Sequence, residues 1–409
     1  ITGVANGNDS KLEEIQATHL QYSNTSGGFV RTSEFVTLDD MELIKARQNV
    51  AEFNPRLSAK IDIQPNPQIN FQIGGTADYD KSHDYIHVYS LFNPENNPEN
   101  IQVTWRAFAR FTQKFKNTQP EPGASAKSAA SNITNAYYEI QADYEEFHQI
   151  IQDDTHKDRL FNYGHIGAFE THQSPTYAYG TDSSSGYKGW LQEANSVDSV
   201  TFTPGTVNEN GAAYAEQYYA NITTLPKSLD EISANSVVIN SARPVNVYDM
   251  WFNVGRQYND YFKGKISQFR LSANASADFK SHAIRFGVEY EQQAYRVSNF
   301  SPITLWTFMR QYANSHISEL DKSNPILVYD GDFFGEFDTI RYDRKYVASE
   351  QTTFDKNLRE SLGLDVKGTD WIDIDNLDPS KFSLDMFSAE ELIAERNGSL
   401  DSYYGYDYL

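Results

Sequence analysis

Four aspartates spaced two or three residues apart are the side chains best suited to hold a metal ion. They are Asp370, Asp373, Asp375 and Asp378. Calcium binds about six to eight oxygen ligands, and carboxylates are its commonest ligands. This run lacks the glycine and the closing glutamate of an EF-hand loop. Two interpretations therefore stay open, a calcium site or a solvated acidic surface, and the same alternatives apply to a second acidic group, Asp330, Asp332, Glu336 and Asp338.

Aromatic side chains in the predicted loops are the second candidate site. The rings we expect to bind a ligand are Tyr177, Tyr179, Tyr187, Trp190, Trp251, Tyr403 and Tyr404. Flat rings stack on sugars or peptides and give a large contact area at a low entropic cost. The alternative is that these rings pack the long loops together.

Catalytic patterns are weak. His83 and His87 are four residues apart, a separation of about 13 Å on an extended chain, and no H-E-x-x-H pattern surrounds them. His156 lies among the acids of residues 153–158, where a cluster that structures the loop is the better interpretation. The sequence holds no nucleophile elbow, phosphate loop or dinucleotide fingerprint. We therefore predict that the protein is not an enzyme.

Composition restricts the partners and the fold. The 409 residues include 34 basic and 56 acidic side chains, so the net charge is −22, which argues against a nucleic-acid partner. Cysteine is absent, which excludes disulfides and thiol catalysis. No apolar run is long enough for a membrane helix, whereas membrane strands give a much weaker signal. Because the chain opens at Ile1 without a methionine or a signal peptide, we expect a mature or partial piece of a protein.

The elements that position these residues are long two-faced strands. Between Phe269 and Tyr290 apolar and polar residues alternate on both sides of a tight turn at 279–282. Side chains alternate faces along a strand, so this pattern predicts a hairpin with one apolar and one polar face. Residues 57–79 repeat the pattern around Pro65-Asn66-Pro67, and the strands near 101–115 and 136–144 continue it. The pattern fits a sheet with one face in a core, or the wall of a membrane barrel.

The order of these strands predicts that short turns lie at one end and long loops at the other, as in outer-membrane barrels. Five segments follow: 1–56 as a first barrel segment with a short loop helix at Asp39–Asn49, 57–145 as barrel hairpins, 146–265 as a long extracellular excursion, 266–297 as a barrel hairpin, and 298–409 as extracellular loops with short helices starting at Ser301 and Ser388.

Several stretches resemble one family of proteins. The matching pieces are Leu91-Phe92-Asn93-Pro94, the segment 104–113, the segment 152–158, Phe286-Gly287-Val288-Glu289-Tyr290, the segment 354–360, the segment 382–388 and Tyr403-Tyr404-Gly405-Tyr406-Asp407-Tyr408. With these pieces the chain resembles the TonB-dependent outer-membrane receptors of the SusC-like and Oar-like kind, which carry a carboxypeptidase-regulatory-like domain before their plug. The resemblance implies a 22-stranded transmembrane antiparallel barrel with a plug. This chain has no recognisable plug and about six confident spanning strands, so we expect the early barrel part and its extracellular loops.

The fold class predicted is therefore all-β with small helices in loops, as part of such a barrel. The predicted function is a cell-outer-membrane receptor of a Gram-negative bacterium that binds and imports a nutrient such as an oligosaccharide or a peptide. Its implied partners are TonB through the missing plug, a surface lipoprotein lid and outer-membrane lipid; no cofactor is certain and calcium is possible. Two alternatives stay open, a barrel subunit of a larger export, motility or surface assembly, and a secreted polysaccharide-active β-protein.

Overall fold

The computed structural model describes residues 4–116, 133–329, 338–393 and 400–408, with the backbone alone for 4–5 and 400–408. Strands hold 44% of the residues and helices 23%, which confirms a β-rich fold with small helices. No helix in these ranges has the length and apolar content needed to span a membrane.

The strands, in chain order, are β1 Val4–Gly7, β2 Leu20–Ser23, β3 Gly28–Arg31, β4 Met41–Ile44, β5 Arg56–Asn66, β6 Ile69–His83, β7 Glu99–Lys114, β8 Ile133–Gln152, β9 Gly167–Thr181, β10 Lys188–Pro204, β11 Asn246–Val247, β12 Trp251–Phe252, β13 Tyr261–Phe279, β14 His282–Phe300, β15 Ile326–Val328, β16 Thr339–Arg341 and β17 Leu400–Tyr408. The α-helices are α1 Asp9–Ala17, α2 His87–Ser90, α3 Glu209–Asn221, α4 Leu229–Ala234, α5 Thr304–Tyr312, α6 Thr353–Leu362 and α7 Ala389–Ile393.

One antiparallel sheet of seven strands, in the order β17-β14-β13-β8-β7-β6-β5, holds all the long predicted strands. Phe279 pairs with His282 around a two-residue turn, in which Lys280 has a φ of 53°. The predicted hairpins 57–79 and 269–290 are confirmed, and β7 and β8 pair as neighbours between them. Apolar and polar residues alternate along each long strand, so pairing these strands brings their apolar side chains to one face of the sheet and their polar side chains to the other.

The loops at the other end of this sheet fold into a second body, which we call the cap (residues 4–55, 84–98, 153–260, 301–329 and 338–393). It contains the four-stranded sheet β15-β16-β10-β9 and all seven α-helices. Its three apolar clusters are centred on Trp306 with Phe354, on Phe169 with Tyr214, and on Ile15 with Trp251. Within the described side chains, every fully buried hydrophobic residue belongs to the cap and none to the seven-stranded sheet.

Two details of the loop prediction changed. The predicted helix at Asp39–Asn49 is wrong, because residues 41–44 form β4, whose backbone pairs with β1. Residues 4–55 contribute no strand to the large sheet within the described ranges, and the sheet begins at Arg56. The other predicted helices are present: α5 buries Leu305 and Phe308, and α7 starts at the predicted Ser388–Glu391 capping box.

Candidate membrane surface and ligand cavity

One face of the large sheet is apolar and uncovered. The ladder pairs Ile61 with Ile73, Leu271 with Tyr290, and Ala273 with Val288. The large apolar side chains that this face exposes are Leu57, Ile61, Ile63, Ile73, Trp105, Ile140, Phe269, Leu271, Ile284, Phe286, Val288 and Tyr290. Phe286 is 70% exposed and Val288 is 58% exposed. Each belongs to the apolar half of a predicted alternating strand, so the sequence located this face correctly.

The length of the apolar face can be compared with the apolar band of an outer-membrane barrel. From Ala277 to Phe269 the strand runs about 27 Å at about 3.4 Å per residue. A tilt of about 40° would give a height of about 21 Å, close to the apolar band of about 25 Å on outer-membrane barrels. Aromatic rings border the face at both ends: Trp105 lies 5.2 Å from Tyr144 on the cap side, and Phe115 lies 6.1 Å from Tyr138 on the turn side.

Charged side chains begin on this same face at the aromatic border on the cap side. Lys265 binds Glu146 at 2.8 Å, and His148 also contacts Glu146. Glu146 pairs directly with Trp105, one row past Tyr144, and His148 and Lys265 pair with each other in the next row. The apolar face therefore has a defined end, where polar groups would reach water or lipid headgroups.

The opposite face of the sheet is polar and held by ion pairs. Asp143, which is 5% exposed, accepts a hydrogen bond from Arg106 Nη2 at 2.7 Å and two from Gln141 Nε2 at 2.8 Å. Arg270 Nε lies 3.6 Å from the same carboxylate. A charged network of this kind belongs to a face that meets water or another polar surface.

The cap contains an open cavity of about 340 Å³, at the lower end of the range that holds small organic ligands. Thr171 and Gln173 of β9 line it, as do Val197 and Val200 of β10 and residues 228–230 at the start of α4. Arg310 and Asn314, together with residues 371–375, close the other side. The cavity lies between the apolar clusters of Trp306 and Phe169, where two separately packed cores meet.

Arg310 and Asp375 form the fixed charge pair of this cavity. Asp375 is 3% exposed and accepts hydrogen bonds from Arg310 Nε at 2.6 Å and Nη2 at 2.7 Å. Asn240 Nδ2 donates to the same carboxylate at 3.1 Å, and Arg310 also donates to Ser241 and to the Asn240 carbonyl. A forked guanidinium matches a carboxylate in two places, so both charges are compensated.

Asp373 is a second aspartate of this cavity. It is half-buried and accepts the Thr171 backbone N–H at 2.7 Å, and within the described ranges no basic side chain pairs with it. Burial, with a smaller contribution from the charges of Asp375 and Glu170, raises the pKa of Asp373 to about 6. A raised carboxyl pKa of this kind is typical of functional sites, although structural networks also produce such pKa values.

The predicted acidic run is therefore divided among different partners. Asp373 and Asp375 line the cavity, whereas Asp378 caps residues 379–381 by accepting from the Ser380 N–H at 2.9 Å. The Asp370 carbonyl accepts from Arg359 at 2.8 Å. Among the described residues no three acidic or histidine side chains converge as a metal site. In the second acidic group, residues 330, 332 and 336 lie outside the described residues.

The predicted aromatic residues also separate into two groups. Tyr179, Tyr187 and Trp190 are exposed at the turn end of the β9–β10 hairpin, and the rings of Tyr179 and Trp190 lie 5.6 Å apart. Tyr177 accepts a hydrogen bond from Arg341 at 3.0 Å. Trp251, in contrast, is 7% exposed and packs against Phe92, so it is a core residue and the structure removes it from the predicted ligand surface. Tyr403 and Tyr404 lie in β17, and their side chains are outside the described residues.

The histidines have local structural partners. His83 contacts Asp154 at 3.1 Å, and His156 contacts Asn208 at 2.7 Å. Neither belongs to a metal-ligand group among the described residues. Sequence reasoning missed the cavity residues Arg310, Thr171, Gln173 and Trp371, because their only signal is proximity in space to the acidic run.

No family model, no curated protein and no solved structure matches this chain. The resemblance to TonB-dependent receptors therefore stays a prediction from the sequence.

Proposed function

We propose that this chain is the membrane-embedded early barrel part and the extracellular cap of an outer-membrane receptor of the TonB-dependent kind, which binds a nutrient at the cell surface for import. The observation that carries the proposal is the uncovered apolar face of the large sheet. A water-soluble sheet buries its apolar face against another layer. Here the cap has its own cores, and the described chain supplies no second layer over this face.

The arrangement of the loops supports the same function. The β6–β7 loop, the segment between β8 and β13 and the segment after β14 leave the sheet at one end, whereas the β5–β6 turn, the β13–β14 turn and the β7–β8 connection leave it at the other. Outer-membrane barrels place short turns inside and long loops outside, so the cap would face the medium. The cap cavity would then be the site where a nutrient binds. TonB, reached through a plug, and a surface lipoprotein lid remain partners that the resemblance implies.

A charge placed on the apolar face tests the membrane assignment. Lysine at the bilayer midplane costs about 2–4 kcal/mol. Val288→Lys should therefore reduce insertion into lipid vesicles, whereas Ser272→Lys, which adds the same charge on the polar face, should insert normally. Recovery of the wild-type chain from a lysate as a detergent-free soluble monomer, or equal insertion of the two variants, would refute the proposal.

The absence of cysteine allows a direct test of orientation. A cysteine introduced at Glu216, exposed on α3 of the cap, should react with a membrane-impermeant maleimide on intact cells. A cysteine introduced at Ser281, in the β13–β14 turn, should react only after lysis. Labelling of both positions on intact cells would contradict the proposed orientation.

A second candidate function has its own observation. Tyr179 and Trp190 form an exposed ring pair, and tyrosine and tryptophan are among the residues that contribute most to protein–protein binding. This favours a barrel subunit that binds a protein partner in a surface assembly. Loss of nutrient uptake in a deletion strain would favour import, and loss of the assembly with normal uptake would favour the subunit.

A further inference from the structure

We infer that the cap cavity binds a small organic cation, a primary amine carried on an apolar body. The inference deepens the proposed function by naming the class of ligand, and it rests on that function only for the fate of the ligand after binding.

The charge of the lining selects a cation. Asp230, Asp373 and Asp375 provide three carboxylates, and Arg310 provides the one guanidinium. Because Arg310 is fully engaged by Asp375, Asn240 and Ser241, it compensates none of the remaining charge. Two negative charges are left, one on exposed Asp230 and one on half-buried Asp373. An amine entering the cavity would gain a charge-assisted hydrogen bond at Asp373.

The walls select an organic cation over a metal ion. Calcium needs about six to eight oxygens, and no three acidic side chains converge among the described residues. About half of the lining is apolar, and its members are Val197, Val200, Leu229, Ile239, Trp371, Ile372 and Ile374. Apolar walls do not stabilise a hydrated metal ion, whereas they bury the hydrocarbon part of an organic cation away from water, which is favourable. Trp371 is 45% exposed, and the guanidinium of Arg344 lies over its ring, 4.3 Å from the ring centroid.

The binding should depend on pH through one carboxylate. Glu170 of β9 and Asp375 of its own segment act electrostatically on Asp373, and Asp230 of α4 and Arg310 of α5 line the same cavity. Arg344 contacts two other lining residues, Trp371 and Gln173. Burial and the two nearest acids raise the pKa of Asp373 to about 6, so it is ionised at pH 7.5 and mostly protonated at pH 5. Amine affinity should therefore fall about tenfold between these two pH values.

Calorimetric titration of the purified full chain in detergent with phenethylamine tests the inference. Asp373→Asn should weaken binding by about tenfold to a hundredfold, the value of a hydrogen bond to a charged group. Asp378→Asn removes the same charge five residues away, outside the lining, and should bind as the wild type does. Phenylethanol, which has the same ring and no charge, should bind more weakly than the amine.

Three results would overturn the inference. The first is absence of phenethylamine binding up to about 10 mM at pH 7.5, and the second is equal affinity of the wild type and Asp373→Asn. The third is calcium binding that is lost in Asp373→Asn and competes with the amine, which would assign the cavity to a metal instead. Because the titration needs no lipid bilayer, a chain that fails to insert into vesicles and still binds the amine would refute the membrane proposal alone.

Discussion

Removal of one carboxylate should make this protein more stable at neutral pH. Burial is the main reason why the pKa of Asp373 is raised from 3.8 to about 6. A pKa difference of about 2 corresponds to about 3 kcal/mol, at about 1.36 kcal/mol per pKa unit. Because part of the side chain faces solvent, screening reduces the expected cost of the ionised form to about 1–2 kcal/mol. Asp373→Asn should recover this amount, since the amide oxygen can still accept the Thr171 N–H.

The sign of the pH dependence follows from linkage. Above pH 6 the carboxylate is ionised in both the folded and the unfolded chain, so the folded state bears the full cost. Between about pH 6 and pH 4 the folded chain takes up a proton before the unfolded chain does, and the cost disappears. The advantage of Asp373→Asn over the wild type should therefore be full at pH 7.5 and small at pH 4.5.

Urea unfolding followed by tryptophan fluorescence measures this difference in the free energy of unfolding. Four of the five tryptophans lie in the cap, as Asp373 does, so the signal reports mainly on the cap; the fifth, Trp105, lies in the sheet. Asp378→Asn is the matched control. Hydrogen bonds from Ser380 lower the pKa of Asp378, so its removal should not stabilise the cap. An Asp373→Asn variant no more stable than the wild type at pH 7.5, or equally favoured at pH 4.5, would refute the reasoning.

Three further outcomes are expected from the same unfolding assay. Arg310→Met should cost about 3–5 kcal/mol, because it leaves the buried Asp375 carboxylate without its guanidinium. Burial lowers the pKa of His19 to about 4, so the wild type should lose stability as the pH falls from 6.5 to 4, by about 1.4 kcal/mol per pH unit from this residue. His19→Phe should remove that part of the slope. Trp251→Ala should cost about 3–5 kcal/mol as a core truncation, whereas Trp190→Ala at an exposed site should change stability by less than about 0.5 kcal/mol.

The long strands could be predicted from the sequence because their environment is repeated along the chain. Because one face of the sheet is apolar along its length, apolar and polar residues alternate strictly in each strand. The face that Leu271 or Val288 occupies can therefore be predicted from its position in this pattern. The strands of the cap carry no such signal. β9 runs through Ser174, Pro175 and Thr176, and its position is set by the ladder with β10 and by packing against α3. Likewise, β4 is a strand because β1 pairs with it.

The cavity could be predicted only in part. The acidic run identified Asp373 and Asp375, since closely spaced carboxylates are visible in any sequence. The residue that decides their chemistry is Arg310, which is 65 positions away from Asp375 and reaches it through the packing of α5. Arg310 neutralises Asp375 and leaves Asp373 without a cation partner among the described residues. On our inference, the acidic run that suggested a metal site in the sequence contributes instead to a site for an organic cation.

The two halves of the chain use apolar residues for two different environments. In the cap, Trp306 and Phe354 are fully buried, as water requires. In the sheet, Phe286 and Val288 are more than half exposed, and the ion pair of Glu146 with Lys265 begins at the Trp105 row on the same face. In water, each such side chain would forgo about 1.5–3 kcal/mol of burial. A lipid contact at this face, as we propose, would remove that cost. On this proposal, the apolar face and the cap meet at the membrane surface, and the cavity lies on the side open to the medium.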